Sequence, residues 1–381
     1  MTEDLTLRVH PSLADISPAL WNQHLGDRDP FLNWSFLHGL EISGCTTADT
    51  GWRPAHIEVQ RADATVALLP TYLKSHSYGE YVFDWSWADA WQRMGLDYYP
   101  KLVTAIPFTP ATGSRIWTDS KAGPNLSTIV SSARDLCQAM QCSSWHVLFL
   151  DQLTSNALID CGMPQRLTTQ FHWFNRDYRD FQDFLDRFSS RKRKNLRRER
   201  QQIERQSLEL VTLKGAEISA RDWQFFHRCY QTTYAKRSGH GGYLTEAFFT
   251  EICPALGASP VMVRASVKDQ PVAAALFFEG EGALYGRYWG CLAEFDCLHF
   301  EACYYRGIEY CIDHGLARFD PGAQGEHKIQ RGFEPVLTFS NHWISDERLR
   351  DAVASFAKQE CEHVRAYQRE AATLLPFKEA S

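Results

Sequence analysis

The chain has 381 residues, of which 44% are hydrophobic and 23% charged, ordinary values for a globular protein of about two domains. The formal net charge of −6 argues against a protein wholly devoted to nucleic acid, and the 13% of aromatic residues indicates clefts lined by rings. The eleven cysteines show neither a CxxC pair nor zinc-ligand spacing, so we expect reduced thiols and no metal site. The N-terminal residues lack a signal-peptide pattern and no run of about 18 apolar residues occurs, so we expect a cytoplasmic protein without a transmembrane segment.

The first half of the chain mixes short helices and strands. Hydrophobic periodicity predicts helices at 16–40 (broken at Asp29-Pro30), 126–140 and 153–160. Apolar and alternating runs predict strands at 55–59, 65–73, 79–85, 145–150 and 165–174. Residues 87–103 are interpreted as helical or mixed, and 107–113, with two prolines, as a loop.

The second half ends in a more regular pattern. It begins with a predicted helix at 180–206, a strand at 208–213, a helix at 220–236, a flexible loop at 237–243 and a helix at 245–256. Strands follow at 261–267, 271–278 and 283–289, then a loop at 290–296, a helix at 299–314 and a strand at 317–320. Antiparallel strands followed by a helix and one more strand predict a mixed α/β sheet.

Weak sequence similarity between the two halves suggests that the α/β module of residues 261–320 occurs twice. Residues 66–72 correspond to 271–278 in order, and 78–81 resemble 285–288. We therefore predict two tandem modules, residues 1–165 and residues 166–381, the second including a basic helix at 180–206.

The loop after the last predicted strand is the first candidate site. Its polar residues are Gln324, Glu326, His327, Lys328 and Arg331, and such density after a buried strand is typical of a site. The Lys328 ammonium can neutralise charge on an attacked carbonyl or meet a phosphate, and His327 can take a proton from an amine. Gln324 and Arg331 are candidate substrate contacts. A solvated loop whose charges pair with one another is the alternative.

Neighbouring elements add further candidates. Asp320 ends the strand, where it can orient or deprotonate an amine or cap the Pro-Gly turn. His299 and Glu301 open the 299–314 helix, and either is a catalytic candidate; for Glu301 the alternative is a partner of the helix dipole. A ligand wall or a surface patch is predicted on the strand at 283–289, where alternation places on one face Tyr285, Arg287 and Trp289.

The predicted helix at 180–206 is strongly basic. Nine cations occupy the nineteen positions from Arg187 to Arg205, and only a thin apolar stripe accompanies them. We predict polyanion contact, with tRNA or a phosphorylated ligand, through Arg191, Lys192, Arg193, Lys194, Arg197 and Arg198. A solvated helix face is the alternative, and anionic lipid is disfavoured because the stripe is too thin for insertion.

Two residues of the first half complete the set. Trp85 belongs to an aromatic and acidic cluster with Asp84, which predicts either a pocket for a cationic or amine substrate or a core-edge cluster. Arg115, after the Pro-Phe-Thr-Pro loop, is a candidate clamp for a carboxylate or phosphate.

Three segments carry a resemblance to a known family: Pro-Phe-Thr-Pro at 107–110, Tyr-Trp-Gly-Cys at 288–291 with His-Phe-Glu at 299–301, and Asp-Pro-Gly-Ala-Gln-Gly-Glu-His-Lys at 320–328. They resemble the Fem-like group of peptidoglycan biosynthesis or recognition proteins, and the layout of 261–320 resembles GNAT N-acyltransferases. The resemblance implies tandem GNAT-like modules and a lysine shortly before an aromatic residue, here Lys328 and Phe333.

The resemblance also implies an activity. Such proteins transfer an activated acyl group to the amine of a small molecule or peptide. The donor is a co-substrate and not a tightly bound cofactor: aminoacyl-tRNA in Fem proteins, acyl-coenzyme A in ordinary GNAT enzymes. The loop at 290–296 has one glycine and two acids and departs from the glycine-rich pyrophosphate loop of GNAT enzymes, which favours the Fem-like interpretation. A non-catalytic module that recognises a phosphorylated or peptidic ligand is the alternative.

Overall fold

The computed structural model describes residues 5–323 and 325–378, so the predicted substrate contact Gln324 lies outside the described residues. The chain forms two compact units. Unit 1 comprises Met1–Thr169 and Leu337–Tyr367, and unit 2 comprises Gln170–Val336 and Gln368–Ser381. Residues 337–367 thus group with unit 1, whereas the sequence analysis assigned everything after residue 165 to the second module.

The secondary structure is mixed throughout. In the described residues the strands are β1 (Leu5–His10), β2 (Trp52–Pro54), β3 (His56–Arg61), β4 (Ala64–Leu69), β5 (Thr71–Lys74), β6 (Lys101–Thr104), β7 (Trp117–Thr118), β8 (Ser144–Leu150), β9 (Gln165–Phe174), β10 (Leu208–Lys214), β11 (Pro260–Val267), β12 (Gln270–Gly280), β13 (Ala283–Cys291), β14 (Arg318–Asp320) and β15 (Glu334–Ile344). The α-helices are α1 (Pro18–Trp21), α2 (Trp34–Ile42), α3 (Trp85–Arg93), α4 (Leu126–Ala139), α5 (Gln152–Asp160), α6 (Phe181–Asp186), α7 (Ser190–Arg205), α8 (Ala220–Ser238), α9 (Cys253–Ala255), α10 (Leu298–Phe300), α11 (Arg306–Asp313) and α12 (Glu347–Thr373). Short π-helical segments lie at Asn22–Gly26, Phe248–Ile252 and Glu301–Tyr305, and short 3-10 helices at Leu13–Asp15, Gly215–Glu217 and Glu326–Arg331.

Unit 1 is built on two sets of strands. One is a small sheet in the order β1-β3-β4-β7, and in the other β2, β5, β6 and β8 follow one another, with β6 and β8 parallel. The apolar face of α4 packs Ile129 and Val130 against Trp145 and Val147 of β8. Strand β15 pairs with β8 from Ser144 to Leu150, and the start of α12 buries apolar residues with α3, which explains why this later segment belongs to unit 1.

Unit 2 contains the module predicted from the sequence. Its strands lie in the order β10-β11-β12-β13-β14-β9, antiparallel from β10 to β13, then parallel between β13 and β14. Helix α11 packs on this sheet, where Gly307 permits close contact because a Cβ there would lie 2.6 Å from the Phe319 ring. The predicted mixed α/β fold and the order of strands in this module are confirmed.

Several predicted elements are wrong. Residues 79–85 do not form a strand, because 75–84 contain neither helix nor strand. The sequence similarity of 78–81 to the strand residues 285–288 therefore does not reflect a similar structure. The long helix at 180–206 is two helices, α6 and α7, separated where Phe188 turns into the core and forms a bridge with Phe377. Strands β1 and β15 and helix α12 were not predicted.

Candidate functional site

A buried ion pair lies at the end of β14 in unit 2. The carboxylate of Asp320 is fully buried and accepts hydrogen bonds from Arg287 Nη2 at 2.8 Å and from the Gly322 backbone at 2.9 Å. His172 Nε2 on β9 lies 3.7 Å from the same carboxylate. Burial alone would raise the pKa of Asp320, but Arg287 and His172 outweigh it and hold that pKa well below its usual range. Asp320 is therefore an anion near neutral pH and a poor proton acceptor.

A β-bulge aims Arg287 at this carboxylate. Leu276 pairs with Tyr288 and Phe277 with Gly286, which leaves Arg287 as the extra residue of β13. Bulges re-aim side chains and are frequent beside functional sites. The Arg287 side chain is 2% exposed. The Arg287 guanidinium lies 5.3 Å from the Tyr285 ring. Because the bulge interrupts the alternation of β13, the predicted shared face stays a prediction.

Lys328 lies one short loop further on. It is 1% exposed, in the 3-10 helix Glu326–Arg331, and its Nζ donates to the carbonyl of Gly322 at 2.6 Å. Burial lowers the pKa of Lys328 to about 7, although Asp320 opposes that shift. The structure thus brings together Asp320, Arg287 and Lys328, and Lys328 is a buried cation close to its titration point at neutral pH.

His327 and Arg331 lie on the same short helix, and the Arg331 side chain is buried. His327 is exposed, and its Nε2 lies 2.8 Å from the hydroxyl of Tyr304. Burial, Arg331 and Lys328 each lower the pKa of His327, so its ring is neutral near neutral pH. Arg331 donates to Glu199 Oε1 at 2.8 Å and stacks 3.4 Å from the centre of the Phe300 ring.

Glu301, predicted as a catalytic candidate, is held by two arginines. Arg200 of α7 donates to both of its oxygens, at 2.9 and 3.1 Å, and Arg306 Nε lies 3.1 Å away. Glu301 is 3% exposed. These ion pairs give the carboxylate a structural role in fixing α7 on the π-helical segment, and the geometry offers no support for catalysis by Glu301.

The basic helix divides into a packed and a free face. Leu196 and Ile203 are buried, Lys192 bonds Gln330, and Arg193 pairs with Asp186 at 2.8 Å. Arg197 donates to the neutral side chain of Gln182 at 2.9 Å. Among the residues that the structure describes, no acid pairs with three exposed cations, which are Arg191, Lys194 and Arg198.

The remaining predicted contacts are scattered. The Tyr285 hydroxyl accepts a hydrogen bond from Arg318 at 3.1 Å, and Trp289 packs against the His299 ring with centres 5.5 Å apart. In unit 1, Trp85 is 40% exposed, whereas Arg115 is fully buried and donates to backbone carbonyls, including that of Leu148 at 3.0 Å. Those bonds account for the burial of Arg115, and the clamp predicted there stays a prediction.

Sequence reasoning missed several neighbours of Lys328. His172 comes from β9, and Tyr304 from the π-helical segment, a conformation frequently found at functional sites. His299 was not missed, since it was a catalytic candidate beside Glu301; burial first, then His327 and Arg237, lower its pKa to about 3. Arg237 at the end of α8 therefore lies within electrostatic reach of this site, which is rich in positive charge. The glycine-rich loop that follows Arg237 was the signal in the sequence.

Metal sites, disulfides and membrane-spanning helices are not found in the described residues. In residues 5–323 and 325–378, no three side chains of His, Cys, Asp or Glu are grouped so as to hold a metal ion. All eleven cysteines fall within these ranges as free thiols. No helix in the described part of the chain is long and apolar enough to cross a membrane.

Comparison with known proteins agrees with the fold. FemX aligns over 92% of this chain and 100% of its own, with a TM-score of 0.54 and 11% identity. L-PGS from Bacillus licheniformis aligns over 91% and 97%, with a TM-score of 0.52 and 11% identity. A tandem GNAT protein from the clavulanic acid biosynthesis pathway aligns over 90% and 99%, with a TM-score of 0.43 and 10% identity. At these identities the likeness to FemX and L-PGS is one of fold alone.

The family is established by the sequence itself. The profile of the FemAB-like family, described as peptidoglycan biosynthesis/recognition, matches residues 12–379. The chain belongs to this family. A search of curated proteins gives no significant match.

Proposed function

We propose that unit 2 transfers an activated acyl group to an amine at the loop that contains His327 and Lys328. The observation that carries the proposal is the enclosed Lys328 ammonium, placed beside the fixed Asp320–Arg287 pair at the end of β14. A cation held by a rigid shell in a buried setting stabilises the negative charge that develops on a carbonyl oxygen during attack by an amine. Membership of a family with GNAT-like folds supports this chemistry.

The residues have distinct roles in this proposal. The amine nitrogen attacks the carbonyl carbon of an acyl ester, a C–N bond forms, and the C–O bond to the donor breaks. The neutral ring of His327 accepts the proton that the amine loses, and that proton leaves with the donor oxygen as an alcohol. Lys328 holds the carbonyl oxygen. Asp320 positions Arg287 through their ion pair and positions the loop that carries Lys328 through its hydrogen bond with the Gly322 backbone.

The donor is proposed to be a polyanion, aminoacyl-tRNA. The support is the free face of α7, where Arg191, Lys194 and Arg198 are exposed and unpaired among the described residues, together with the acid-bearing loop at 290–296. Phosphate contacts by such cations make affinity fall steeply with salt. An acyl-coenzyme A donor and a binding module without turnover are the competing possibilities.

One experiment tests the chemistry. Purified protein is incubated with radiolabelled aminoacyl-tRNAs or acyl-coenzyme A and a panel of amine acceptors, and product is separated by chromatography. Lys328→Met is expected to lower the rate about 10²-fold, as for loss of one oxyanion partner, while Lys268→Met, at an exposed turn, leaves it unchanged. Ligand binding without turnover, or equal rates in the two variants, would overturn the proposed catalysis.

A second experiment tests the donor. A triple charge reversal at Arg191, Lys194 and Arg198 is compared with reversal of three exposed cations of α12, which are Lys358, Arg365 and Arg369. Only the first is expected to weaken tRNA binding and to flatten its dependence on salt. Turnover with acyl-coenzyme A, and none with aminoacyl-tRNA, would refute the donor and keep the acyl-transfer chemistry.

A further inference from the structure

Unit 1 holds a second concentration of buried charge, unrelated to the site in unit 2. Lys74 ends β5 and Lys101 begins β6, and the two are direct partners across this antiparallel pair. Both side chains are fully buried. Like charges directly opposite each other destabilise a sheet, and an uncompensated buried ammonium is costlier still. The two lysines therefore require anionic partners.

The partners come from one irregular segment, residues 75–84 between β5 and α3, here called the strap. Lys101 Nζ donates to Glu80 Oε2 at 2.8 Å and to Asp84 Oδ2. Lys74 Nζ has a longer contact, 3.9 Å, to Glu80 Oε1. Two strap carboxylates thus lie over two sheet lysines, in the position that an anionic ligand would take.

The strap has inverted polarity. It buries Glu80 and Asp84, at 4% and 2% exposure, and exposes Tyr78 and Phe83, at 55% and 58%. Surface segments ordinarily do the reverse, because acids are well hydrated and rings are not. Buried ion pairs recover the cost of removing both charges from water only when their hydrogen bonding is complete.

The hydrogen bonding under the strap is incomplete. Among the described residues, no donor lies within hydrogen-bonding distance of Glu80 Oε1 or Asp84 Oδ1, although both atoms are buried. Burial lowers the pKa of Lys74 to about 7 and raises that of Glu80 to about 7, so this pair is only partly charged near neutral pH. The closed strap therefore holds Lys101 by two carboxylates and the Ser77 hydroxyl, whereas Lys74 makes longer contacts, to the carbonyl of Tyr78 at 3.3 Å and to Nδ1 of His76 at 3.4 Å.

We propose that the strap is a displaceable cover on an anion-binding site formed by Lys74 and Lys101, whose ligand carries two neighbouring carboxylates. The strap supplies the same two groups from within the chain and so competes with the ligand. The rings beneath it shape the site: Lys74 Nζ lies 3.9 Å from the Trp52 ring centre, and Lys101 Nζ lies 5.2 Å from that of Tyr98. When the ligand binds, Glu80 and Asp84 move into water, where acids are stable.

The full-length wild-type chain gives the first test, by hydrogen–deuterium exchange with mass spectrometry. The probe is glutarate, a small dicarboxylate, compared with sodium chloride at equal ionic strength. Exchange in residues 75–84 is expected to rise about tenfold with glutarate, equivalent to about 1.4 kcal/mol, while exchange in β6 falls. Strap exchange that glutarate does not change would overturn the proposal.

Chemical rescue gives the second test. Glu80→Gln with Asp84→Asn removes the competing carboxylates, and Asp89→Asn, an exposed acid of α3, is the control. Glutarate is expected to raise the melting temperature of the double variant, to leave the control unchanged, and to have no effect once Lys101→Met is added. Equal stabilisation by chloride would reduce the effect to ionic strength and refute a dicarboxylate site. If the double variant does not fold, the exchange experiment on the wild type decides the matter.

Discussion

Two buried histidines of unit 1 make its stability sensitive to acid. His146 on β8 and His342 on β15 are register partners, and their Nδ1 atoms lie 2.6 Å apart. Such a contact requires one ring to donate and the other to accept, so the pair holds together only while at least one ring is neutral. Burial, reinforced by cations that include Arg166, lowers the pKa of both rings well below 6.5.

The size of the effect follows from proton linkage. In the folded chain the pKa of both rings lies well below 6.5, whereas in the unfolded chain each ring binds a proton at its ordinary value of 6.5. The contribution of the two histidines to the free energy of unfolding is therefore greatest above pH 6.5 and is lost as the pH falls. At pH 5 the loss is at most about 2 kcal/mol for each ring and about 4 kcal/mol for the pair, a large share of the stability of a typical domain.

Replacement of both rings tests this reasoning. In His146→Gln with His342→Gln this pH dependence disappears, so the free energy of opening should fall less between pH 6.5 and 5 than it does in the wild type, by up to about 3 kcal/mol. His363→Gln, at an exposed position of α12, is the control. Native-state hydrogen exchange of residues 144–150, corrected for the intrinsic rate at each pH, supplies the measurement. A double variant as acid-sensitive as the wild type would refute the assignment of neutral rings.

Further predictions concern unit 2. Asp320→Asn leaves Arg287 buried without a counter-ion, and calorimetry should show a loss of about 3–5 kcal/mol; an unchanged unfolding transition would contradict the pairing. If protonated Lys328 is the active form, the transfer rate should fall as the pH rises through about 7, and Lys328→Arg, which stays charged, should abolish that fall; a rate that rises instead would indicate a base. Glu301→Gln should cost about 1–3 kcal/mol in urea unfolding through lost pairing with Arg200 and leave the pH profile of transfer unmoved, whereas a shifted profile would restore a catalytic role.

Local pattern was enough to predict the strands of the unit 2 module. Strands predicted at 261–267, 271–278 and 283–289 correspond to β11, β12 and β13, because their alternation and turn residues are signals read within a few positions. The same logic failed for 79–85. That segment alternates like a strand, but its acids are drawn to Lys74 and Lys101, a long-range interaction that propensity does not contain.

The candidate site shows the same division. Asp320, His327 and Lys328 lie within nine positions, so their crowding is visible in the sequence. His172 reaches Asp320 across 148 positions, through sheet pairing that no local pattern predicts. The orientation of Arg287 depends on a one-residue bulge, and the engagement of Glu301 depends on a helix one hundred positions earlier. The candidate side chains could be predicted from their residue types, whereas their partners depend on which strands and helices the fold brings together.

The division of the chain into units has a consequence for synthesis. Residues 337–367 complete unit 1, yet they leave the ribosome only after nearly all of unit 2. During translation β8 is made before its neighbour β15, and the apolar surface of α3 stays uncovered until α12 is made. Nascent unit 1 therefore exposes an open strand edge for the time needed to make about 170 residues, roughly ten to thirty seconds at about 5–20 residues per second.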